Sequence, residues 1–234
     1  MLAKDIKQHL QKLSDQKQAA ILQRFFKTGP GEYGYGDIFL GIKIPVLRKL
    51  IPNYKDTSLS QIIKLLQSKI HEERMFALLL LVDSYQRTDQ EQKEKIYNSY
   101  LKNTASINNW DLVDLSAPKI VGHYLYDKDK SILYHLCKSA NLWEKRIAII
   151  ATFYFIKQHQ FEDTLKIAQE FLNEKHDLMH KATGWMLREV GKQNLKAEED
   201  FLKKHYRIMP RTMLRYAIEK FPEPKRQRYL KGKI

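Results

Sequence analysis

With 234 residues, 43% of them hydrophobic and 11% aromatic, the chain holds enough apolar material for one sizeable core or a run of stacked units, and global disorder is excluded. Gly (9) and Pro (7) are too sparse for long loop-rich regions. Lys and Arg number 41 against 27 Asp and Glu, a formal +14, and such an excess favours a polyanionic partner because each neutralised phosphate releases counterions.

The N-terminus, Met1-Leu-Ala-Lys-Asp5, has no secretory apolar core, and the longest apolar run, Ala77 to Val82, is far shorter than a membrane span. The expectation is a soluble, cytoplasmic protein. Residues 17–26 read as an amphipathic helix. The Gly-rich stretch Gly29 to Asp37 breaks it. A phosphate-binding loop would need a preceding strand and a Lys-Ser/Thr pair, and neither is present. The stretch therefore reads as a turn that places Phe39-Leu-Gly-Ile42, with Pro45 near the start of the next helix. Ser58 or Ser60 caps a helix to about Gln67, and His71 to Tyr85 forms the next. Further helices are expected at 89–102, 109–125, 129–139, 142–158, 161–172, 177–191, 196–206 and 210–220. No segment sustains period-2 alternation, so no sheet is expected. The single cysteine, Cys137, lies in a short apolar run; no disulfide can form within the chain, and the thiol reads as buried and structural. No Cys/His cluster has zinc spacing. Residues 200–234 hold 11 Lys/Arg against 3 Asp/Glu, a net +8, and 222–234 reads as a basic tail.

After the Gly-rich turn the helices come in pairs. The second helix of each pair starts near 71, 109, 142, 178 and 210, at intervals of 38, 33, 36 and 32 residues. Arg74, Arg146, Lys181 and Arg211 recur near these starts. A helix-pair repeat of this length is HEAT-like. One pair cannot bury its apolar face alone, so the pairs must stack. The fold class expected is all-α, one HEAT-like helical-repeat solenoid over 1–234. Its repeated second helices would line one face, where a ligand should sit; the alternative is a compact helical bundle.

Three constellations stand out. In Asn108-Asn109-Trp110-Asp111-Leu112-Val113-Asp114, Asn109 can cap a helix and Trp110 and Asp114 project from one face of it. Asp114 lies one turn from the helix N-terminus, where the dipole favours its ionised form. From spacing alone, a core Trp beside a solvated or capping Asp serves this pattern better than a chemical site does. In Asn141-Leu-Trp143-Glu-Lys-Arg146, Trp143 reads as a packing ring, and Arg146 as either a buried ion-pair partner or a phosphate clamp. In the segment His180 to Lys192, Lys181, Trp185 and Arg188 share a face and Gly184 sits mid-helix, where it would let something approach the backbone closely. A ring between cations suits a nucleic-acid strand; a core Trp with snorkelling cations fits the pattern equally.

Together the motifs name a family. Trp-Asp-x-x-Asp at 110–114, Leu-Trp-x-x-Arg at 142–146 and Lys-Ala-x-Gly-Trp-x-Leu-Arg at 181–188, with Phe39-Leu-Gly-Ile-x-x-Pro45, resemble AlkD-type DNA alkylation repair glycosylases over about residues 20–220. The resemblance implies a HEAT-like fold with double-stranded DNA in a basic groove. It makes Asp114 the catalytic carboxylate and sets Trp110 and Trp185 against the sugar-phosphate backbone at the lesion. Arg146 becomes a DNA-contacting residue, joined by Lys181, Arg188, Lys192 and Arg211. Tyr33 and Tyr35 are candidates for an N-terminal DNA contact. The implied activity is release of cationic alkylated purines, 3-methyladenine and 7-methylguanine, by a cytoplasmic, nucleoid-associated monomer needing no cofactor, metal or membrane. The rival is a non-catalytic relative that binds branched or distorted DNA.

Overall fold

The computed structural model describes residues 1–234, all in α-helices, short 3-10 turns, one π-helical segment and connecting segments. There is no strand; an isolated parallel bridge joins Ile38 and Ile70. The contacts divide the chain into two units, Met1–Ser116 and Ala117–Ile234. No helix is long and apolar enough to cross a membrane.

The first unit holds α1 (Ala3–Lys12), α2 (Gln16–Phe25), α3 (Ile44–Tyr54), α4 (Leu59–Leu66), α5 (His71–Arg87), α6 (Gln90–Lys102) and nearly all of α7 (Trp110–Ala117). Its axis is α5. Every residue from His71 to Val82 is buried, because α3, α4 and α6 pack around the helix and leave it no wet face. The apolar run Met75–Val82 explains most of that. The first turn does not fit the same account: His71, Glu72, Glu73 and Arg74 are all charged or ionisable and all at most 3% exposed. Between α2 and α3 the Gly-rich stretch forms turns, with Gly31 and Gly36 at φ 77° and 87°. It delivers Phe39, Leu40, Gly41 and Ile42 to the interior, as the sequence leads one to expect. The N-terminal α1, which is not among the helices expected, is amphipathic and packs on α4, with Ile6 and Leu10 fully buried.

The helix expected over 109–125 changes hand-hold at Pro118. Proline has no N–H to donate, and residues Pro118–Gly122 adopt π pairing before one last α turn, α8 (His123–Leu125). The second unit continues with α9 (Ser131–Cys137), α10 (Leu142–Lys157), α11 (Glu162–Glu170), α12 (Asp177–Gln193), α13 (Leu195–His205), α14 (Arg211–Ala217) and α15 (Glu223–Leu230). Here α10 packs on α12 and α12 on α14, while α9, α11 and α13 each pack beside their chain neighbours. The starts of α5, α7, α10, α12 and α14 fall within one residue of the spacing read from the sequence. Residues 222–234 carry α15, whose Tyr229 is 1% exposed and packs edge-on against Tyr206 and Phe221.

Two glycines set helix spacing in this unit. A Cβ on Gly122 would lie 2.2 Å from the Ala151 carbonyl oxygen on α10, and one on Gly184 would lie 2.4 Å from that of Met213 on α14. What approaches the Gly184 backbone is thus α14, at a separation that no side chain permits. Gly184→Ala must push α14 off α12, and overpacking of this kind costs roughly 1–3 kcal/mol. The expected result is a lowered melting temperature for Gly184→Ala; an unchanged melt would mean that the contact yields freely.

Candidate functional site

The start of α7 is fastened by its own side chains. Asn109 Oδ1 accepts the Trp110 N–H at 2.8 Å, and Asp111 Oδ1 accepts the Leu112 N–H at 2.9 Å, which satisfies two of the donors left orphaned at a helix start. Leu112 and Val113 turn inward and are fully buried. Trp110 and Asp114 stay half-buried on the helix surface, one turn apart. The Trp110 ring stacks on Phe26, centroids 5.3 Å apart, and meets Phe25 edge-on at 6.0 Å. Phe25, Phe26, Phe39, Ile42 and Trp110 wall a cavity of about 440 Å³ that is almost wholly apolar. Asp114 lies close enough to Tyr100 for its charge to help burial push the Tyr100 hydroxyl above its usual range. The Tyr100 hydroxyl itself exchanges a 2.9 Å hydrogen bond with Ser116.

Beneath this surface lies a charged cluster that the sequence reading did not single out. His71, 3% exposed, sits between two carboxylates, with Nδ1 3.1 Å from Asp37 Oδ2 and Nε2 2.9 Å from Asp111 Oδ2. Arg74 donates to the other Asp37 oxygen at 2.6 Å, and Asn109 Nδ2 donates to Asp37 Oδ2 at 3.3 Å. Burial by itself lowers the His71 pKa, but the charge and hydrogen bond of Asp111, with Asp37 behind them, raise it to about 9. Burial raises the Asp37 carboxyl, yet the His71 hydrogen bond and the Arg74 charge hold it below its ordinary value. His71 also stacks on Phe39 at 4.5 Å and lies 5.1 Å from Phe26, the ring on which Trp110 rests. Next to it, Glu72 accepts the backbone N–H groups of Leu40 and Gly41 at 2.9 and 2.8 Å, and that of Ile42 at 3.2 Å. The signal in the sequence was four polar residues opening a helix that turns out to be buried all round. The other half was an Asp at the end of the Gly-rich turn.

Of the N-terminal tyrosines, Tyr35 is 67% exposed and Tyr33 half-buried. Cys137 is buried, and burial first of all pushes its thiol up to about 12, which suits a structural thiol. No group of His, Cys, Asp and Glu has the arrangement of a metal site.

In the second unit, Trp185 is half-buried against Phe153, centroids 5.8 Å apart, with Nε1 donating to Glu189 at 3.1 Å. The cations around it are tied to carboxylates. Lys181 pairs with Asp177 at 2.7 Å, Lys192 with Glu189 at 2.6 Å, and Arg188 with Glu219. Lys181 and Lys192 keep 40% and 44% of their side chains exposed, whereas Arg188 keeps 16%. Arg211 is exposed at the start of α14. Arg146 is 5% exposed and donates to the Leu178 carbonyl at 2.8 Å, stitching α10 to the start of α12. Trp143 is buried, in keeping with a packing ring.

The family model described as DNA alkylation repair enzyme matches residues 6–221. Among solved structures, a predicted DNA alkylation repair enzyme from Enterococcus faecalis shares the fold, with a TM-score of 0.68 and 17% identity over 90% of this chain and 97% of that one. No curated protein sequence matches.

Close to Arg188, Glu198 is 2% exposed on α13. Burial, aided by the charge of Glu199, raises its carboxyl from 4.5 to about 8 against the pull of Lys225 and Arg188. Because the folded value is raised, the neutral form stabilises the fold fully below pH 4.5, and that contribution is lost as pH climbs towards 8. Glu198→Gln keeps the neutral shape at every pH. Its melting temperature, relative to that of the parent chain, should rise between about pH 5 and 8 and level off above; a difference that ignores pH would contradict the assignment.

Proposed function

The chain belongs to the DNA alkylation repair enzyme family, and on that premise we propose that it is a DNA glycosylase, hydrolysing the N-glycosidic bond of cationic alkylated purines in duplex DNA. The observation that carries the reading is the surface of α7, where a half-buried carboxylate, Asp114, stands one turn from Trp110 in the Trp-Asp-x-x-Asp motif. An N3- or N7-alkylated purine is positively charged and leaves as a neutral base, taking the electron pair of the bond to C1′. Positive charge then builds on the deoxyribose. Asp114 as a carboxylate stabilises that charge and orients the water that adds to C1′ and sheds a proton. Trp110 presents a π face to the same cationic sugar, backed by Phe26. Trp185, held by Phe153 and Glu189, serves as a second ring against the backbone at the lesion.

Among the cations, exposure separates two jobs. Lys181, Lys192 and Arg211 are the ones able to reach phosphates, exchanging their carboxylate partners for the DNA backbone. Arg146 and Arg188, largely covered, act on DNA binding by holding α10 to α12 and α12 to the turn after α14. Arg146→Ala should accordingly weaken binding and lower stability together.

Asp114→Asn should keep the fold and DNA affinity while lowering the single-turnover rate of base release at least about a hundredfold, the scale of losing a central electrostatic group. Near-normal release from the folded variant would remove Asp114 from the mechanism. Base loss absent from the parent chain, with salt-dependent duplex binding intact, would favour the non-catalytic DNA-binding reading.

The set offers an anion and rings for a cationic sugar and no acid to protonate a leaving base. Duplexes carrying one lesion each should therefore lose 3-methyladenine and 7-methylguanine while uracil and hypoxanthine stay in place. Comparable rates for uracil and 7-methylguanine would mean that a proton donor operates.

A further inference from the structure

Asp111 and Asp114 share one motif but not one environment. Asp114 is half-buried near Tyr100, whereas Asp111 is 8% exposed and faces His71. Two carboxylates reach His71: Asp37 from the Gly-rich turn and Asp111 from the start of α7. Asp37 is itself held by Asn109 from the start of α7 and by Arg74 from one turn along α5. Two other carboxylates open α5, and both are committed elsewhere: Glu72 to the N–H groups of residues 40–42, Glu73 to Lys7 of α1 at 3.2 Å. On its faces the imidazole meets the Phe39 and Phe26 rings, and Phe26 is the ring beneath Trp110.

A neutral imidazole donates from one nitrogen and accepts at the other. Here both nitrogens face carboxylate oxygens, and carboxylates accept. Both contacts are hydrogen bonds only when the ring is an imidazolium. We propose that His71 is a positioning residue which, as an imidazolium bridging Asp37 and Asp111, holds the first turn of α7 and so sets where Trp110 and Asp114 stand. The role of Asp114 rests on the glycosylase reading; the link from His71 to Trp110 does not.

The direction of the pH dependence follows. The folded pKa of about 9 lies above the ordinary 6.5, so the bridge is complete below 6.5 and persists through neutral pH. It is lost as pH rises through about 9, when one buried carboxylate loses its donor. The first turn of α7 then shifts against Phe26, and the environment of the Trp110 ring changes with it.

The full chain labelled with 5-fluorotryptophan reports this directly, since it has three tryptophans and Trp110→Phe identifies the relevant 19F resonance. The Trp110 resonance should titrate with a midpoint near 9, and His71→Gln should abolish that titration. In single-turnover assays on 7-methylguanine duplex at neutral pH, His71→Gln should release base about ten- to a hundredfold more slowly, the scale of a small misplacement. Its affinity for undamaged duplex should stay within about twofold. A Trp110 resonance that is flat from pH 6 to 10 in the folded parent chain overturns the proposal, as does a titration that survives His71→Gln. If His71→Gln does not fold, Asp111→Asn removes the largest raising influence and should move the midpoint well below 9; an unmoved midpoint equally overturns it. The fluorine titration needs no lesion and no catalysis. A parent chain without base release would thus sink the glycosylase reading and leave this link to be judged by itself.

Discussion

Burying four ionisable side chains in one helical turn is tolerable only when each finds a partner, because an uncompensated buried charge costs several kcal/mol. The first turn of α5 gives each charge an opposite charge or a set of donors by recruiting distant chain, although Arg74 Nε and Glu73 Oε2 make no hydrogen bond. His71 takes Asp37 and Asp111, Arg74 takes the second oxygen of Asp37, Glu72 takes the three N–H groups of residues 40–42, and Glu73 takes Lys7. These partners come from three parts of the first unit, α1, the segment 37–42 and the start of α7, so the charges tie all three to α5. Phe26 and Phe39, the rings beside His71, also line the cavity next to Trp110.

The second unit solves a different problem. Here the missing Cβ of Gly122 lets the segment 118–122 close on α10, the missing Cβ of Gly184 lets α12 close on α14, and Arg146 ties α10 to the start of α12. The Trp185 ring is half-exposed, pinned by Phe153 and by its hydrogen bond to Glu189. Glu189 thereby holds both the ring and Lys192, so a ring and a cation are presented together by one buried carboxylate.

Much of this could be read in the chain beforehand. Helix-pair spacing located α5, α7, α10, α12 and α14 because stacked pairs must bury one face at a regular interval. The Trp110 and Asp114 pair was visible as a motif, though its spacing alone better described a core ring beside a solvated or capping Asp. The cluster at His71 was not visible, because its partners lie 34 and 40 residues away and nothing local distinguishes His-Glu-Glu-Arg from the wet start of a surface helix. For the same reason Asp37 looked like one more turn residue. Arg146 was open between a buried partner and a phosphate clamp, and the pattern could not foretell that it is 5% exposed and donates to the Leu178 carbonyl. α15 opens with Pro222-Glu-Pro224 in a basic stretch, and what orders it is the burial of Tyr229, a tertiary effect.

The histidine cluster also bears on the chemistry proposed for the outer surface. A glycosylase acting on neutral bases needs an acid, and a protonated imidazole near the site would be the natural one. His71 is protonated at neutral pH, yet both ring nitrogens are spent on Asp37 and Asp111 and the ring is 3% exposed. Giving up its proton would strand a carboxylate in the interior. His180 has Nε2 engaged by the Glu174 carbonyl at 2.6 Å, and burial lowers the pKa of His176, whose Nδ1 accepts the Leu178 N–H. These three histidines are thus committed to holding structure. On the proposed reading the carboxylate of Asp114 and the face of Trp110 stabilise positive charge on the sugar, and a substrate that brings its own charge suits them without a proton from any of the three.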